Sequence, residues 1–223
     1  MGVVVVAAGS GTRLGAGRPK AFVELVGVTI LERSLRGVLA AAPDEVVVVV
    51  PATHVDEATA VVEHLGERRS RVSVVAGGAE RTDSVSAGLA ALSEDIRWVL
   101  VHDAARCLTP VAVFERVLAA LRAGVVGAIP GVPVVDTIKV VDTGGVITET
   151  PLRETLRAVQ TPQGFDREVL TAAHGAGAAA TDDAALVEAL GHDVLVVEGD
   201  HRALKVTTPD DLVRAERLLT AAP

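Results

Sequence analysis

The sequence predicts an α/β fold built on a doubly wound, mostly parallel sheet. Three observations support this prediction. The run 3–6 is four consecutive valines, as expected of a strand that is covered on both faces. Similar runs recur along the chain, and helical patterns separate them over the first part of the sequence. With 223 residues, of which 49% are hydrophobic, the chain can bury a core without cross-links.

Strands and helices are predicted in a regular order. Runs rich in β-branched residues predict strands at 3–6, 45–50, 71–75, 98–101, 125–129 and 194–197. The first helix follows Thr29, where Thr-Ile-Leu-Glu has capping-box spacing, and extends to about Ala42. Further helices are predicted near 55–65, 83–92, 110–122, 166–176, 182–190 and 209–220. Thr181 and Thr208 are the predicted N-caps of the last two, with Pro209 in the first helical position of the last.

The stretch 132–155 interrupts this rhythm. It alternates strand-like pieces around Thr-Gly-Gly at 143–145, a pattern typical of a hairpin. We therefore expect a β-arm that protrudes from the core at about 132–155. Since the sequence contains no internal repeat and no linker, the simplest organisation is one domain over 1–223.

Composition argues against several classes of function. A net charge of −8, one Trp, three Phe and no basic tract make a nucleic-acid surface a poor hypothesis. No apolar run approaches the roughly 20 residues that span a bilayer, and the chain begins directly with a strand pattern rather than a signal peptide. Cys107 is the single cysteine, which indicates a reducing compartment. We expect a cytoplasmic protein that binds neither membranes nor nucleic acids.

The loop 7–20, AAGSGTRLGAGRPK, follows the first predicted strand and has the composition of a phosphate-binding loop. It lacks the third glycine of the dinucleotide fingerprint, because Leu14 stands there, and the Gly-Lys-Ser/Thr ending of a Walker A loop. Glycines allow backbone N–H groups to approach a phosphate, and Arg13 and Lys20 add two positive charges. This combination favours a triphosphate that is attacked at its α-phosphorus and loses pyrophosphate. The alternative is an ordinary surface turn.

Further candidate segments follow the later strands, because an open parallel sheet binds ligands at the carboxyl ends of its strands. They are the loops 76–84, 102–107 and 130–139, and the second contains Asp103, which ends a predicted strand. For Asp83 and Ser84 the alternative is helix capping, and for Asp103 with Arg106 it is a local ion pair. His102 and Cys107 are interpreted as packed structural residues, and Asp182 and Asp183 as charges at a helix N-terminus.

The first loop resembles the signature of sugar-nucleotide pyrophosphorylases and related nucleotidyltransferases. Six further motifs follow in order: GGAERTDSV at 77–85, VHDAAR at 101–106, VVDTIK at 134–139, TPQ at 161–163, TDD at 181–183 and LKVTTPDDL at 204–212. Over essentially the whole chain, this ordered set resembles the 2-C-methyl-D-erythritol 4-phosphate cytidylyltransferase family of the non-mevalonate isoprenoid pathway. The resemblance implies a Rossmann-like nucleotidyltransferase fold with a projecting β-arm.

The resemblance also implies roles for individual residues. Catalytic roles fall to Arg13, Lys20 and Lys205. The nucleotide CTP is expected to bind at Ala7, Ala8, Gly9, Gly11, Gly77, Gly78, Ala79, Arg81 and Ser84. The acceptor phosphate is expected to bind at Asp103, Arg106, Thr137, Arg153 and Thr161. Asp103 is also the implied ligand of Mg²⁺, a cation that binds carboxylates and phosphate oxygens. The sequence departs from the family pattern at Ala79, which is often acidic, and at Cys107, which is usually proline.

The implied function is transfer of CMP from CTP to 2-C-methyl-D-erythritol 4-phosphate by a homodimer whose arm, with Thr137 and Arg153, reaches the partner subunit. Such a reaction depends on positioning and charge neutralisation, because a phosphate nucleophile is already ionised near neutral pH. Two alternatives remain open within the fold: a ribitol 5-phosphate cytidylyltransferase, and a nucleotidyltransferase that acts on another sugar phosphate. A nucleotide-binding regulatory module without catalysis is the alternative from a different class.

Overall fold

The computed structural model describes residues 1–9, 11, 14–15, 17–66, 71–177 and 180–220. Within these ranges the strands are β1 Gly2–Val6, β2 Glu24–Leu25, β3 Val28–Thr29, β4 Glu45–Val50, β5 Val72–Ala76, β6 Trp98–Asp103, β7 Gly127–Pro133, β8 Val140–Val141, β9 Ile147–Glu149, β10 Arg157–Val159, β11 Gln163–Asp166 and β12 Val194–Glu198. The helices are α1 Ile30–Ala40, α2 Val55–Glu63, α3 Arg81–Ala91, α4 Val111–Arg122, α5 Arg167–Gly175, α6 Asp183–Ala189 and α7 Pro209–Thr220.

Eight of these strands form a central sheet in the order β10-β7-β11-β6-β1-β4-β5, and β12 pairs with β7. The half β6-β1-β4-β5 is parallel throughout. Since the chain proceeds from β1 outward to β5 and then returns to the other side of β1 with β6, the strand order reverses between β1 and β6. Ligands of doubly wound sheets bind at such a reversal.

Helices cover both faces of the sheet, which gives three layers. One hydrophobic cluster contains Val3 and Val5 of β1 together with buried side chains of α1, α2 and α4. The other contains Val4 with side chains of α3, α5 and α6. A strand buried on both faces loses the alternation of polar and apolar residues, which explains the all-valine run. The predicted α/β class with a mostly parallel sheet is confirmed.

The central sheet contains two strands, β10 and β11, that the sequence does not predict. β11 runs antiparallel to both β6 and β7, and β10 is antiparallel to β7. The segment Gln-Gly-Phe-Asp of β11 has no β-branched residue, so neither its composition nor its four-residue length indicates a strand. The Gln163 and Phe165 side chains are nevertheless buried.

The predicted helix caps are confirmed at two positions and wrong at a third. The Thr29 Oγ1 accepts a hydrogen bond of 3.2 Å from Glu32 N, and the Thr208 Oγ1 accepts one of 3.3 Å from Asp211 N. Helix α6 is capped by Asp182 rather than Thr181, since the Asp182 carboxylate accepts from Ala185 N at 3.0 Å. A carboxylate at this position also interacts favourably with the helix dipole.

The predicted hairpin forms within the segment 132–155, which we call the arm. Strands β8 and β9 pair antiparallel, and the Asp142 carboxylate accepts hydrogen bonds of 2.9 Å from Gly144 N and Val146 N in the turn between them. Large apolar side chains of the arm are exposed, including Val135 and Leu152, each at 75%.

Among the described residues, none of the helices is both long and apolar enough to cross a membrane.

Candidate active site

A cleft opens at the carboxyl ends of β1 and β6, where the strand order reverses. From the described part of the chain, two lysines, one arginine and two carboxylates contribute to its wall. The lining residues are Val6, Ala8, Gly9, Lys20, Gly78, Ala79, Glu80, Arg81, Ser84, Asp103, Ala105 and Lys205. The cleft therefore brings together residues from four separate loops of the sequence.

The described part of the loop 7–20 forms one side of the cleft. Ala7 N donates to Val49 O at 2.8 Å, which continues the β1–β4 pairing and fixes where the loop begins. Gly11 has φ +67°, and a Cβ there would lie 2.7 Å from the Cβ of Lys20. Glycine is therefore required at residue 11 for the loop to fold back onto Lys20. The predicted catalytic residue Arg13 lies outside the described residues.

Lys20 and Lys205 both face the cleft, although they are far apart in the sequence. Lys20 begins a short 3₁₀ turn, Lys20–Phe22, and its Nζ donates to the backbone oxygen of Val206 at 3.4 Å. Since Val206 is the next residue after Lys205, this contact links the two lysine-bearing segments.

Asp103 is the centre of an ion-pair cluster in the cleft. Its Oδ2 lies 2.7 Å from Lys205 Nζ, and its Oδ1 lies 3.6 Å from Arg81 Nε. Burial by itself would raise the pKa of Asp103, but the positive charges of Lys205 and Arg81 outweigh it and lower the pKa to about 2. The carboxylate is therefore ionised at neutral pH.

The segment 77–84 forms the opposite side of the cleft. Glycine is needed at both residues 77 and 78, because a Cβ at Gly77 would lie 2.6 Å from Ser84 Oγ and one at Gly78 would collide with the Asp83 side chain. Glu80 and Asp83 form a reciprocal capping box for α3, so the helix-capping interpretation of Asp83 is confirmed. Ser84 lines the cleft and donates to the backbone oxygen of Glu80 at 3.1 Å.

Arg81 is held by a carboxylate that sequence reasoning did not assign to the site. Its Nη2 lies 2.8 Å from Asp183 Oδ2, and the other oxygen of Asp183 lies 2.9 Å from His174 Nε2. Asp183 is fully buried, so it is more than the helix-terminus charge that the sequence predicts. Burial would raise the pKa of this carboxyl, but hydrogen bonding from His174 and the charge of Arg81 lower it. The only feature of the sequence that could have indicated this role is that Asp183 directly follows another aspartate, Asp182, at the start of a predicted helix.

The Thr161 side chain holds the backbone of Asp103. Its Oγ1 accepts a hydrogen bond from Asp103 N at 3.0 Å and lies 3.1 Å from His102 Nδ1. His102 is buried and packs against the Phe114 ring, with 5.0 Å between ring centroids. Burial lowers the pKa of His102 to about 4, so the ring is neutral at physiological pH, which agrees with its predicted structural role.

The buried neutral His102 predicts a specific loss of stability in acid. Its pKa falls from 6.5 to about 4 on folding, so the unfolded chain binds a proton more readily than the folded chain. As the pH falls from about 6.5 to about 4, we expect the free energy of unfolding to decrease by about 3 kcal/mol because of this group. Urea denaturation of wild type and His102→Asn at several pH values measures the contribution. The variant should lose less stability over this interval, and an equal loss in both proteins would contradict the assignment.

Four of the five predicted acceptor-binding residues do not line the cleft: Thr161, whose contacts with Asp103 and His102 are given above, and Arg106, Thr137 and Arg153. Arg106 donates to the backbone oxygens of Ala203 at 2.8 Å and Val159 at 3.2 Å. Thr137 and Arg153 lie on the arm, where Arg153 Nη1 donates to the backbone oxygen of Val135 at 3.0 Å. Their contact with the acceptor stays a prediction.

The cleft offers a limited set of donors for a divalent cation. Among the described residues, no group of three or more His, Cys, Asp or Glu side chains is arranged to hold a metal. Asp103 supplies one ionised carboxylate at the base of a cleft with space for phosphates. One carboxylate together with substrate phosphates is a usual donor set for Mg²⁺, so the residues fit a cation that arrives with a nucleotide.

Cys107 is buried beside Leu25 and Val206, and burial raises its pKa to about 11. A protonated thiol of this kind is a poor nucleophile. The interpretation of Cys107 as a packing residue is confirmed.

Comparison with known proteins gives one consistent result. The model of the family described as IspD, 2-C-methyl-D-erythritol 4-phosphate cytidylyltransferase, matches residues 1–221. The chain is 52% identical over 217 residues to the 2-C-methyl-D-erythritol 4-phosphate cytidylyltransferase of Nocardia farcinica, covering 97% of this chain and 92% of that protein. It is 56% identical over 222 residues to the bifunctional enzyme IspD/IspF of Clavibacter michiganensis subsp. michiganensis, covering 98% of this chain but only 54% of that protein.

A solved structure agrees with these relatives. The 4-diphosphocytidyl-2C-methyl-D-erythritol synthase of Anaerococcus prevotii superposes with a TM-score of 0.86 at 28% identity, over 98% of this chain and 97% of that one. The family match covers nearly the whole chain, and the fold agrees with it. The chain belongs to the 2-C-methyl-D-erythritol 4-phosphate cytidylyltransferase family.

Proposed function

We propose that this chain transfers CMP from CTP to the phosphate of 2-C-methyl-D-erythritol 4-phosphate, giving 4-diphosphocytidyl-2-C-methyl-D-erythritol and pyrophosphate. The predicted enzyme class is confirmed by the family. The observation that best supports this proposal is that Lys20, Lys205 and Arg81 lie in one cleft with the ionised Asp103.

The chemistry follows from the charge distribution. The attacking phosphate is already an anion, so the protein's task is to orient it in line with the α-phosphorus and to neutralise the charge that develops on the leaving pyrophosphate. Lys20, together with the proposed Arg13, belongs to the glycine loop and acts on the triphosphate. Lys205 acts from the neighbouring segment, which Lys20 contacts at Val206. Mobile ammonium groups suit this role, because they follow phosphate oxygens during transfer.

The cytidine is proposed to bind along the segment 77–84. Backbone groups of Gly77, Gly78 and Ala79 can read a pyrimidine edge at close range, since the two glycines leave no side chain in the way. Ser84 adds a hydroxyl that lines the cleft. Ala79 presents only a methyl group, so its proposed contact is through the backbone.

Asp103 is proposed to hold Mg²⁺ together with the CTP phosphates. The cation, when bound, would supply charge neutralisation across phosphate oxygens. The Asp103 carboxylate also orients Lys205, which lies 2.7 Å away.

The acceptor site is proposed to form between two copies of the chain. Thr137 and Arg153 lie on the exposed arm and are absent from the lining of the cleft in the described part of one chain. Exposed Val135 and Leu152 provide apolar surface for a partner on the same segment. We therefore propose a homodimer in which the arm completes the partner's site. Sedimentation analysis should give twice the chain mass of 22.9 kDa, and a strict monomer would refute this part of the proposal.

A cytoplasmic location is also proposed. The support is the single buried cysteine, which fits a reducing compartment.

A pyrophosphate-release assay tests the activity. CTP, UTP, ATP and GTP are each combined with methylerythritol phosphate, ribitol 5-phosphate and glucose 1-phosphate. We expect turnover with CTP and methylerythritol phosphate, and little with the other pairs. Turnover with CTP and ribitol phosphate alone would transfer the assignment to that acceptor, and no turnover with any pair would support a regulatory module.

A further inference from the structure

The segment that carries Lys205 depends on other parts of the chain for its position. It connects β12 to α7, and its regular structure is one 3₁₀ turn, His201–Ala203. Lys205 follows this turn, with its side chain 41% exposed and its Nζ 2.7 Å from Asp103. A lysine on a connecting segment keeps such a distance only if the backbone on both sides is fixed.

Arg106 fixes the segment from the turn that follows Asp103. Arg106 N donates to the backbone oxygen of Asp103 at 2.9 Å, which makes its own position part of that turn. Its side chain then donates to the backbone oxygen of Ala203 at 2.8 Å and to that of Val159 at 3.2 Å. Arg106 therefore connects the turn that carries Asp103 to the segment that carries Lys205, the two sides of the ion pair in the cleft.

Gln160 makes a second attachment, at Asp200, the residue that directly precedes the turn His201–Ala203. Its Nε2 donates to the backbone oxygen of Asp200 at 2.8 Å, and its Oε1 accepts from Asp200 N at 3.0 Å. This two-bond pairing of a side-chain amide with one residue's backbone resembles strand pairing. It requires the neighbouring Gly199, because a Cβ there would collide with Gln160 Oε1. Gln160 is 6% exposed, so these bonds are shielded from water.

The far end of the segment is fixed as well. Val206 N donates to the backbone oxygen of Ala105 at 2.9 Å, and the side chains of Ala203 and Val206 are buried. Lys205 is thus held between two buried residues and points out into the cleft.

We infer that Arg106 and Gln160 are positioning residues that act through Lys205, by fixing the segment 200–206 against the turn after β6. The inference rests on the proposed function of Lys205 and gives Arg106 a role other than direct contact with the acceptor. The Arg106 Nε is buried and makes no hydrogen bond within the described residues, so the guanidinium is directed into the protein. A planar guanidinium reaches two carbonyls at once, which a lysine ammonium on a single flexible stem does not reproduce.

A double-mutant cycle tests this role. Steady-state kinetics with CTP and methylerythritol phosphate are measured for Arg106→Ala, Lys205→Ala and the double variant. A displacement of about 1 Å of a catalytic group costs up to roughly 10²-fold in turnover, so we expect Arg106→Ala to lower kcat by about 10- to 100-fold. KM for methylerythritol phosphate should change less than about threefold, because Arg106 makes no contact with this substrate that its removal could weaken. When Lys205 is already alanine, adding Arg106→Ala should lower kcat by less than about threefold, because there is no longer a lysine to position.

The outcomes separate the two hypotheses. Suppose that Lys205→Ala loses turnover, and that adding Arg106→Ala lowers kcat by the same factor as it does in the wild type. Suppose alternatively that Arg106→Ala mainly raises KM for methylerythritol phosphate. Either result would mean that Arg106 contacts substrate, so the inference would be overturned while the proposed function stands. If Lys205→Ala keeps wild-type turnover, the catalytic role of Lys205 and the inference both fail.

Further variants guard against simple misfolding. Gln160→Ala removes the other attachment and should show the same non-additivity with Lys205→Ala, even if Arg106→Ala does not fold. Arg106→Lys keeps the charge but loses the fork, so it should not rescue kcat. Arg167→Ala is the matched control, because Arg167 donates to the backbone oxygens of Leu92 and Ser93 in a comparable clamp that touches neither the cleft nor the segment 200–206. It should lower stability while leaving kcat unchanged; equal kcat losses in Arg167→Ala and Arg106→Ala would overturn the positioning role.

Discussion

Replacing Lys20 with alanine should lower kcat by about 10²–10³-fold, the usual effect of removing one group that stabilises transition-state charge. Lys20 lines the cleft and belongs to the loop proposed to hold the triphosphate. The backbone of that loop packs at Gly11 against the Cβ of Lys20, and alanine keeps this atom. The variant should therefore fold normally, so that the loss is one of chemistry. Pyrophosphate release and the thermal unfolding midpoint, measured on the same preparation, test both parts.

A surface variant provides the control for Lys20→Ala. Arg36 is 61% exposed and pairs with Glu32 one helical turn away, so Arg36→Ala removes a positive charge from the surface rather than from the cleft. Surface pairs of this kind contribute little to stability, and kcat should not change. Turnover of Lys20→Ala close to that of Arg36→Ala would contradict a catalytic role for Lys20.

Much of the fold was predictable because its strands are buried on both faces. Continuous valine runs such as those of β1 and β4 have few alternatives to a central parallel strand, and their observed bounds agree with the predicted ones within two residues at each end. β11 was not predictable by the same reasoning. It is a four-residue strand in which Phe165 pairs with Gly127 of β7, and its burial results from its neighbours rather than from its own pattern.

The cleft was predictable to the extent that it follows from topology. Loops after parallel strands meet at one edge of the sheet, so Gly9, Gly78 and Asp103 were expected near each other and all line the cleft. The contacts between side chains were not predictable in this way. Asp183 is 102 residues from Arg81 in the sequence, and only the packing of α6 against the sheet brings the two groups to 2.8 Å.

The residues that resemblance assigned to the acceptor divide according to their position in the fold. Thr161 lies directly behind Asp103, whereas Thr137 and Arg153 extend away on the arm. In the proposed homodimer, the arm meets a surface of the second copy of the chain. Their roles therefore depend on the oligomeric state, which is why the sedimentation experiment comes before any substitution of Arg153.

The second large effect is expected at Asp103, where asparagine keeps the shape but removes the charge. The hydrogen bond to Thr161 Oγ1 comes from the Asp103 backbone N–H and is preserved in the variant. Lys205 and Arg81, by contrast, lose the carboxylate that lies 2.7 and 3.6 Å from them. We expect Asp103→Asn to lower kcat by about 10²–10³-fold, and to raise the Mg²⁺ concentration needed for half-maximal turnover. A large loss of kcat with an unchanged Mg²⁺ requirement would limit Asp103 to orienting Lys205.

The same variant should also change how stability depends on pH. The pKa of Asp103 is about 2 in the folded chain and 3.8 as the ordinary value, so its ionised form stabilises the fold above about pH 4, and this contribution is lost as the pH falls towards 2. The linked free energy is on the order of 2 kcal/mol. In urea denaturation, wild type should therefore lose more stability than Asp103→Asn as the pH falls from about 5 to about 3, because the asparagine does not titrate. Parallel losses in both proteins would show that the ion pairs with Lys205 and Arg81 do not hold the carboxylate in its charged form. The role proposed for Asp103 in the cleft would then not depend on its ion pairs with Lys205 and Arg81.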